Sequence, residues 1–200
     1  MPTQIENRYY TPEEYLALEE VAEYKSEYHD GEIIPVTGGT TNHNEIAGNF
    51  YSHFKFAFRG QNYRIYMGDV RLWIPRYRRY TYPDVMVIQG APVYEGAGTT
   101  TVTNPSLIVE VLSKSTTNYD QGDKFRYYRS MAEFREYILI DQYSFHIEQF
   151  SKNIAGKWVL TEYEGEDSLL VLDSIKFQIS LNEVYQRVDF ELSDEESEKI

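Results

Sequence analysis

The most constraining feature of this sequence is the run from Leu107 to Leu112, which reads Leu-Ile-Val-Glu-Val-Leu. A nearly continuous apolar run of this length is typical of a β-strand that is covered on both faces. Its one polar residue, Glu110, must then be buried, and a buried carboxylate is costly unless a partner neutralises it. The run therefore predicts a central strand together with a charged partner for Glu110.

A second acid, Asp84, has a similar setting, because it follows Pro83 within the predicted strand 82–88. Acids in two buried strands are usually neutralised by a cation or a metal ion. In the alternative interpretation, each carboxylate pairs with an arginine or points into solvent at the end of its strand. The residues alone leave both interpretations open.

The pattern of the whole chain predicts a mixed α/β fold, with a curved central sheet flanked by helices in one domain over residues 1–190. The segment 191–200 contains five acids and is predicted to be disordered. The stretch 90–103, rich in glycine and threonine, is predicted to be a loop. Further strands are predicted at 63–66, 69–75, 107–112, 137–141, 144–150, 157–163 and 168–172, and helices at 120–131 and 181–188.

Local motifs predict the elements near the start of the chain. Thr11-Pro12-Glu13-Glu14 contains the residues of a capping box that begins a helix. Asp30-Gly31 suits a two-residue hairpin turn between strands 24–29 and 32–36. A second helix is predicted over 41–58, because apolar residues recur there at every fourth position.

Composition excludes several classes of protein. The chain has 200 residues and no cysteine, which excludes a disulfide scaffold, a thiol nucleophile, an iron–sulfur cluster and a thiolate zinc site. No apolar run approaches the ~20 residues of a membrane helix, and the first residues lack the pattern of a signal peptide. We therefore expect a cytoplasmic protein with no membrane partner. The motifs of dinucleotide-binding, P-loop and serine-hydrolase sites are also absent.

The formal net charge of −13 does not favour nucleic acid, since phosphate binding depends mainly on lysine and arginine. The charge is unevenly distributed, however, because positions 55–79 contain seven bases and one acid, Asp69. This segment predicts a nucleic-acid surface, in which arginines bind phosphate and tyrosines stack on bases. The alternative is a hairpin with a solvated arginine tip. The predicted surface consists of Arg71, Arg76, Arg78 and Arg79, with Tyr77, Tyr80 and Tyr82.

Several short motifs follow one another in an order that is more specific than any of them alone. Pro83-Asp84 is followed after 25 residues by Glu110, an arrangement that resembles the PD-(D/E)xK nucleases. More specifically, the chain resembles the Uma-type family of endonucleases from about Tyr10 to Val188, which implies a restriction-endonuclease-like fold. The matching motifs are 27–32, 40–44, 82–85, 105–116, Asp123-Lys124 with Tyr128, and Glu136-Tyr137 with Asp141.

The resemblance implies a metal-dependent endonuclease. Asp84, Glu110 and the carbonyl of Val111 would hold Mg²⁺ or Mn²⁺, and Glu27 resembles an acid that such sites draw from an N-terminal element. The motif lysine is missing, since its position is Leu112. In the Uma-type pattern Lys124 would supply the missing charge as the catalytic lysine, and Lys114 is the fallback.

Two other functions stay open at this stage. The missing lysine and the acidic charge also fit a catalytically silent module that binds nucleic acid or protein. A metal-dependent hydrolase of small phosphate esters is the third possibility. The 19 tyrosines are compatible with an interface, and nucleases of this fold often work as two-fold dimers, so we expect a homodimer.

Overall fold

The predicted central strand lies in the middle of a six-stranded sheet. The structure is a computed structural model, and it describes residues 8–113 and 117–191. Lys114 and residues 192–200 of the predicted disordered segment lie outside the described residues. In order across the sheet, the strands are β11 (Trp158–Glu164), β10 (His146–Lys152), β9 (Glu136–Asp141), β8 (Leu107–Leu112), β6 (Val85–Gln89) and β3 (Tyr63–Met67).

All six residues of β8 are buried, as the apolar run predicts. The strand pairs antiparallel with β6 and in parallel with β9. Because parallel neighbours need a crossover, the chain between β8 and β9 crosses one face of the sheet. The described crossover consists of α3 (Thr117–Tyr119), a π-helical turn (Asp120–Lys124) and α4 (Phe125–Tyr128).

The opposite face is covered by the long helix α2 (Thr41–Ala57), which confirms the predicted apolar stripe. Ile46, Phe50 and Phe54 are fully buried and share one core cluster with Val109 and Val111 of β8. Since side chains alternate along a strand, Glu110 points away from α2 and toward the crossover. This alternation places its carboxylate on the face where the π-helical turn lies.

A smaller, five-stranded sheet packs beside the first. Its strands are, in order, β2 (Glu32–Pro35), β1 (Ser26–His29), β5 (Arg79–Thr81), β4 (Arg71–Ile74) and β7 (Thr101–Val102). The hairpin between β1 and β2 turns at Asp30 and Gly31, which both have positive φ, 45° and 109°. A side chain at position 31 would also collide with the Tyr9 ring, 2.1 Å away, so glycine is required there.

The remaining elements lie at the two ends of the described chain. The helix α1 (Pro12–Glu19) begins with the predicted capping box at Thr11, and it inserts Tyr15 between Tyr28 and Tyr80 of the smaller sheet. The C-terminal elements are β12 (Leu169–Val171), β13 (Gln178–Ser180) and α5 (Leu181–Val184).

The mixed α/β class is confirmed, and three details differ from the prediction. The stretch 82–88 is not one strand, because β5 ends at Thr81 in the smaller sheet and β6 begins at Val85 in the larger one. Asp84 therefore lies where the chain passes between sheets. The predicted helix 120–131 is a π-helical turn followed by α4. The predicted loop 90–103 contains the short strand β7, and the strand β13 was not predicted. These strands are two and three residues long, too short to show an alternating pattern.

Candidate active site

The predicted acids line one cleft, of about 710 Å³. Glu27 comes from β1, Asp84 from the link between the sheets, and Glu110 with Val111 from the end of β8. Lys124 reaches the same cleft from the π-helical turn. The structure thus brings together all residues that the sequence places in the metal and catalytic set, although they span nearly a hundred positions.

Asp84 and Glu110 are neighbours because β6 and β8 are antiparallel, with Val85 opposite Val109. The two acids are linked through backbone amides. The amide of Val111 donates to Asp84 Oδ2 at 2.7 Å, and the amide of Asp84 donates to Glu110 Oε2 at 3.3 Å. These bonds hold both carboxylates at the strand ends and orient them toward the cleft.

Lys124 is the positive centre of the group. Its Nζ lies 3.1 Å from Glu110 Oε1 and 3.0 Å from Asp120 Oδ1, and its side chain is 12% exposed. Tyr128 on α4 also donates to Glu110 Oε1, at 2.7 Å. The π-helical turn allows this arrangement, because it directs both Asp120 and Lys124 at the strand end.

The sequence analysis missed Asp120, a buried acid in the cleft wall. The signal was its position four residues before Lys124, which lets two side chains meet on one helix face. Its Oδ1 is buried, and among the described residues it contacts the ammonium of Lys124, at 3.0 Å. A carboxylate oxygen has two lone pairs, so it can also serve a second ligand.

Glu27 is held by neutral and imidazole donors. Its Oε1 accepts hydrogen bonds from the Thr81 hydroxyl and from the Tyr82 amide, and its Oε2 lies 2.9 Å from His29 Nε2. Burial raises the pKa of Glu27, but the His29 hydrogen bond and the charge of Lys124 outweigh burial and lower the pKa to about 2. Glu27 is therefore ionised at neutral pH.

Glu110 shows the opposite balance. Burial raises the pKa of Glu110, Lys124 offsets part of this effect, and Asp84 and Asp120 raise the pKa again, so that it is about 8. For Lys124 itself, burial lowers the pKa, but the charges of Glu110, Asp120 and Glu27 hold it well above its usual range. The lysine stays protonated, whereas Glu110 holds a proton near neutral pH.

His43, at the start of α2, is a further polar residue in the cleft. Its Nε2 lies 3.1 Å from Asp84 Oδ2. Burial lowers the pKa of His43, and the hydrogen bond and charge of Asp84 reverse this effect, so that the pKa is raised. Gln142 also lines the cleft. Its amide nitrogen donates a hydrogen bond to the Leu112 carbonyl at 2.7 Å, and its amide oxygen accepts a hydrogen bond from the Thr40 hydroxyl.

The donor set fits a hard divalent cation. Asp84, Glu110 and Asp120 provide carboxylate oxygens within one cleft, and Mg²⁺ and Mn²⁺ prefer oxygen ligands. Among the described residues, however, the group of acids and histidines whose ligand atoms all lie within 4.8 Å of one another is His146, Glu148 and Glu162, on β10 and β11 outside the cleft.

The four predicted phosphate-binding arginines lie on the smaller sheet and its turn. Arg71 donates to the hydroxyls of Thr101 and Thr100 at 3.1 and 3.4 Å. Arg78 forms an ion pair with Asp30 at 2.9 Å. Local partners therefore hold these two arginines. Arg76 and Arg79, by contrast, contact tyrosine rings. Arg76 lies over the ring of Tyr77, and Arg79 lies over the ring of Tyr127 on α4.

This fold and cleft define a protein of the restriction-endonuclease-like class. Residues 12–183 match the family model Uma2, described as "Putative restriction endonuclease", and the chain belongs to this family. The match confirms the resemblance seen in the sequence motifs.

The chain is also similar to two relatives and to one solved structure. "Uncharacterized protein sll1609" of Synechocystis sp. is 41% identical over 166 residues, 83% of this chain and 94% of the relative. "Uncharacterized protein slr1290" of the same organism is 35% identical over 180 residues, 90% of this chain and 93% of the relative. A crystal structure described as a "putative nuclease belonging to DUF820" from Anabaena variabilis shares the fold. Its TM-score is 0.72 at 18% identity, over 88% of this chain and 97% of that one.

Among the residues that the structure describes, no helix combines the length and the apolar character needed to cross a membrane.

Proposed function

We propose that this protein is a metal-dependent nuclease, which hydrolyses phosphodiester bonds of nucleic acid in the cleft. One observation carries the proposal, the excess of carboxylates over cations. Among the described residues that line the cleft, four acids face one lysine, Lys124, and two histidines, His29 and His43. Buried charges require compensation, and the pKa of Glu110, raised to about 8 by burial and neighbouring acids, reflects the same excess. The acids are Glu27, Asp84, Glu110 and Asp120.

A divalent cation would provide the missing charge. Asp84, Glu110 and Asp120, with the carbonyl of Val111, would hold Mg²⁺ or Mn²⁺, since both ions prefer oxygen ligands. When bound, the ion would polarise the phosphodiester and lower the pKa of an attacking water. Asp120 supports this assignment, because it is a buried carboxylate in the wall of the cleft, next to Lys124.

Lys124 acts in this proposal as a fixed positive charge. Its raised pKa keeps it protonated at neutral pH, so it donates hydrogen bonds and does not accept a proton from water. A buried ammonium aimed at the scissile phosphate orients the attacking water and stabilises the negative charge that develops in the transition state. Lys124 thereby replaces the motif lysine, whose position in this chain is occupied by Leu112.

Glu27 supports the lysine from a distance. The oxygens of Glu27 are engaged by Thr81, Tyr82 and His29, whereas its negative charge contributes to the raised pKa of Lys124. We therefore assign Glu27 as a positioning residue for Lys124. Its replacement by glutamine is expected to change the pH profile of cleavage more than the affinity for metal.

The proposed substrate is nucleic acid, most simply DNA, in keeping with the family description. The homodimer stays a prediction from tyrosine content.

The test is cleavage of plasmid DNA and of labelled single strands with Mg²⁺, with Mn²⁺ and with chelator. We expect cleavage by the wild type that requires metal and is lost in Asp84→Ala and Glu110→Ala. The matched control is Asp69→Ala, which removes an exposed acid that does not line the cleft and should retain activity. Equal cleavage by the wild type and both site variants would contradict the proposal, and absence of cleavage by folded wild type would favour a silent module.

A further inference from the structure

Three arginines surround two tyrosine rings that contact each other at a tilt next to the cleft. Tyr77 and Tyr127 have ring centroids 4.7 Å apart. Arg79 lies 4.2 Å from the Tyr127 centroid, and Arg126 lies 5.1 Å from Tyr127 and 5.8 Å from Tyr77. Arg76 lies 5.7 Å from the Tyr77 centroid. We call Arg76, Arg79 and Arg126 the arginine row.

The rings prearrange the arginines. A guanidinium stacked on an aromatic face keeps its N–H edge available for hydrogen bonds and loses less freedom when it binds a ligand. One exposed acid, Asp123, pairs with Arg126 at 3.0 Å, and Asp123 is the one acid that forms an ion pair with the row within the described residues. The row is thus strongly positive in a chain whose formal net charge is −13.

The row begins at the wall of the cleft. Arg79 donates to the Tyr119 hydroxyl at 3.3 Å, and Tyr119 lines the cleft beside Lys124. At its other end, Arg76 lines a second, shallow cavity of about 270 Å³, together with Ser130 and Met131. A flexible polyanion that leaves the cleft would therefore meet the arginines in succession.

We propose that the arginine row binds the phosphate backbone of a nucleic-acid strand next to the bond that is cleaved, an inference that rests on the proposed nuclease function. The guanidinium groups already cover faces of Tyr77 and Tyr127, so contact is made through phosphates and not through stacked bases. Such binding is independent of base sequence. This binding depends on Arg126 and on the Tyr127 ring, which lie far from Arg76 and Arg79 in the sequence. It does not depend on Arg71 or Arg78.

The test is the affinity of wild type and of Arg76→Gln/Arg126→Gln for a labelled single-stranded DNA of about 20 nucleotides. Fluorescence anisotropy is measured in chelator, so that no cleavage occurs, over a series of salt concentrations. Glutamine retains part of the side chain over each ring. The matched control is Arg129→Gln, which changes an exposed arginine stacked on Phe125 at 5.4 Å, outside the row.

We expect the double variant to bind about tenfold more weakly, and its plot of log affinity against log salt to be shallower by about 1.4, because two phosphate contacts of a single strand are lost. Arg129→Gln should behave like the wild type. Equal affinity and equal salt dependence of the double variant and the wild type would overturn the proposal, as would absence of binding by the wild type.

The result separates this inference from the proposed function. If the wild type cleaves DNA with metal but the double variant binds normally, the row is refuted and the nuclease function stands. If binding weakens as expected but the wild type cleaves nothing with any metal, the row is supported and the nuclease function is refuted.

Discussion

Two buried glutamates on adjacent strands, Glu136 and Glu110, have different kinds of partners. Glu136 on β9 is fully buried and accepts hydrogen bonds from neutral donors. The amides of Asp173 and Ser174 donate to it at 2.9 and 3.1 Å, and the side chains of Gln149 and Ser174 complete the set. These bonds join the larger sheet to the segment between β12 and β13.

Glu110 on β8 is equally buried but lies among other charges. It contacts Lys124 and Tyr128 on one oxygen, and Asp84 and Asp120 lie close enough to raise its pKa. Neutral donors that match both oxygens stabilise a buried carboxylate within the protein alone, whereas crowding with like charges leaves it in need of a cation. The comparison teaches that burial of an acid does not identify a site, and that the nature of its partners does.

The largest expected effect is on cleavage. Glu110→Gln should lower the metal-dependent cleavage rate by about 10³-fold, because it removes a charged ligand from the place where transition-state charge is stabilised. Glu136→Gln should retain cleavage to within about tenfold per folded molecule, since its partners are structural. Initial rates at saturating Mn²⁺ check the pair. Equal losses in both variants would remove the distinction between the two glutamates.

The next effect is on stability, and here the larger change is expected for Glu136→Gln. Glu136→Gln should destabilise the fold by about 3 kcal/mol, because an amide group would face the amide and hydroxyl donors that now bind a carboxylate. Urea unfolding in chelator measures this free energy of unfolding. Glu133→Gln, at an exposed position in the segment that precedes β9, is the control and should change little. A stable Glu136→Gln variant would contradict the anchoring role.

A smaller effect is expected at Lys124. Lys124→Met keeps the length of the side chain and removes its charge, so cleavage should fall by about 10²-fold while the need for metal remains. Lys124 is the one lysine among the described residues that line the cleft, so added Mn²⁺ should raise the melting temperature of this variant more than that of the wild type. An unchanged cleavage rate would exclude Lys124 as the replacement for the motif lysine.

The smallest effect is on the pH dependence of stability. The pKa of Glu110 is about 8 in the folded protein and about 4.5 as its reference, so the folded state binds the extra proton between these values. Stability must then fall as the pH rises from about 4.5 to about 8. Relative to Glu110→Gln, the free energy of unfolding of the wild type should fall steadily as the pH rises from 5 to 9 in chelator. A constant difference would show that Glu110 is ionised throughout.

The sequence predicts the frame of the molecule better than its site. The stripe of α2, the capping box at Thr11, the turn at Asp30 and the buried strand β8 were predicted because each depends on local residue order. The sequence also pairs Asp84 with Glu110 through their positions in two buried strands and through family spacing.

What the sequence could not predict depends on non-local packing. The spacing of Asp120 and Lys124 indicates that their side chains can meet, but no local pattern shows that the turn between them is π-helical or that both side chains line the cleft. The separation of β5 from β6 results from a change of sheet, whereas Tyr82-Pro83-Asp84-Val85 reads as continuous strand. Glu136 belongs to the family motif. The four hydrogen-bond donors around its carboxylate, which come from distant parts of the chain, show its structural role.

The most direct test of the central claim is calorimetric titration of Mn²⁺ into wild type, Asp84→Ala, Glu110→Ala and Glu136→Gln. We predict saturable binding to the wild type and to Glu136→Gln, and loss of that binding in Asp84→Ala and Glu110→Ala. Saturable binding that survives in both site variants, or that is lost in folded Glu136→Gln, would contradict the assignment of the cleft as the metal site.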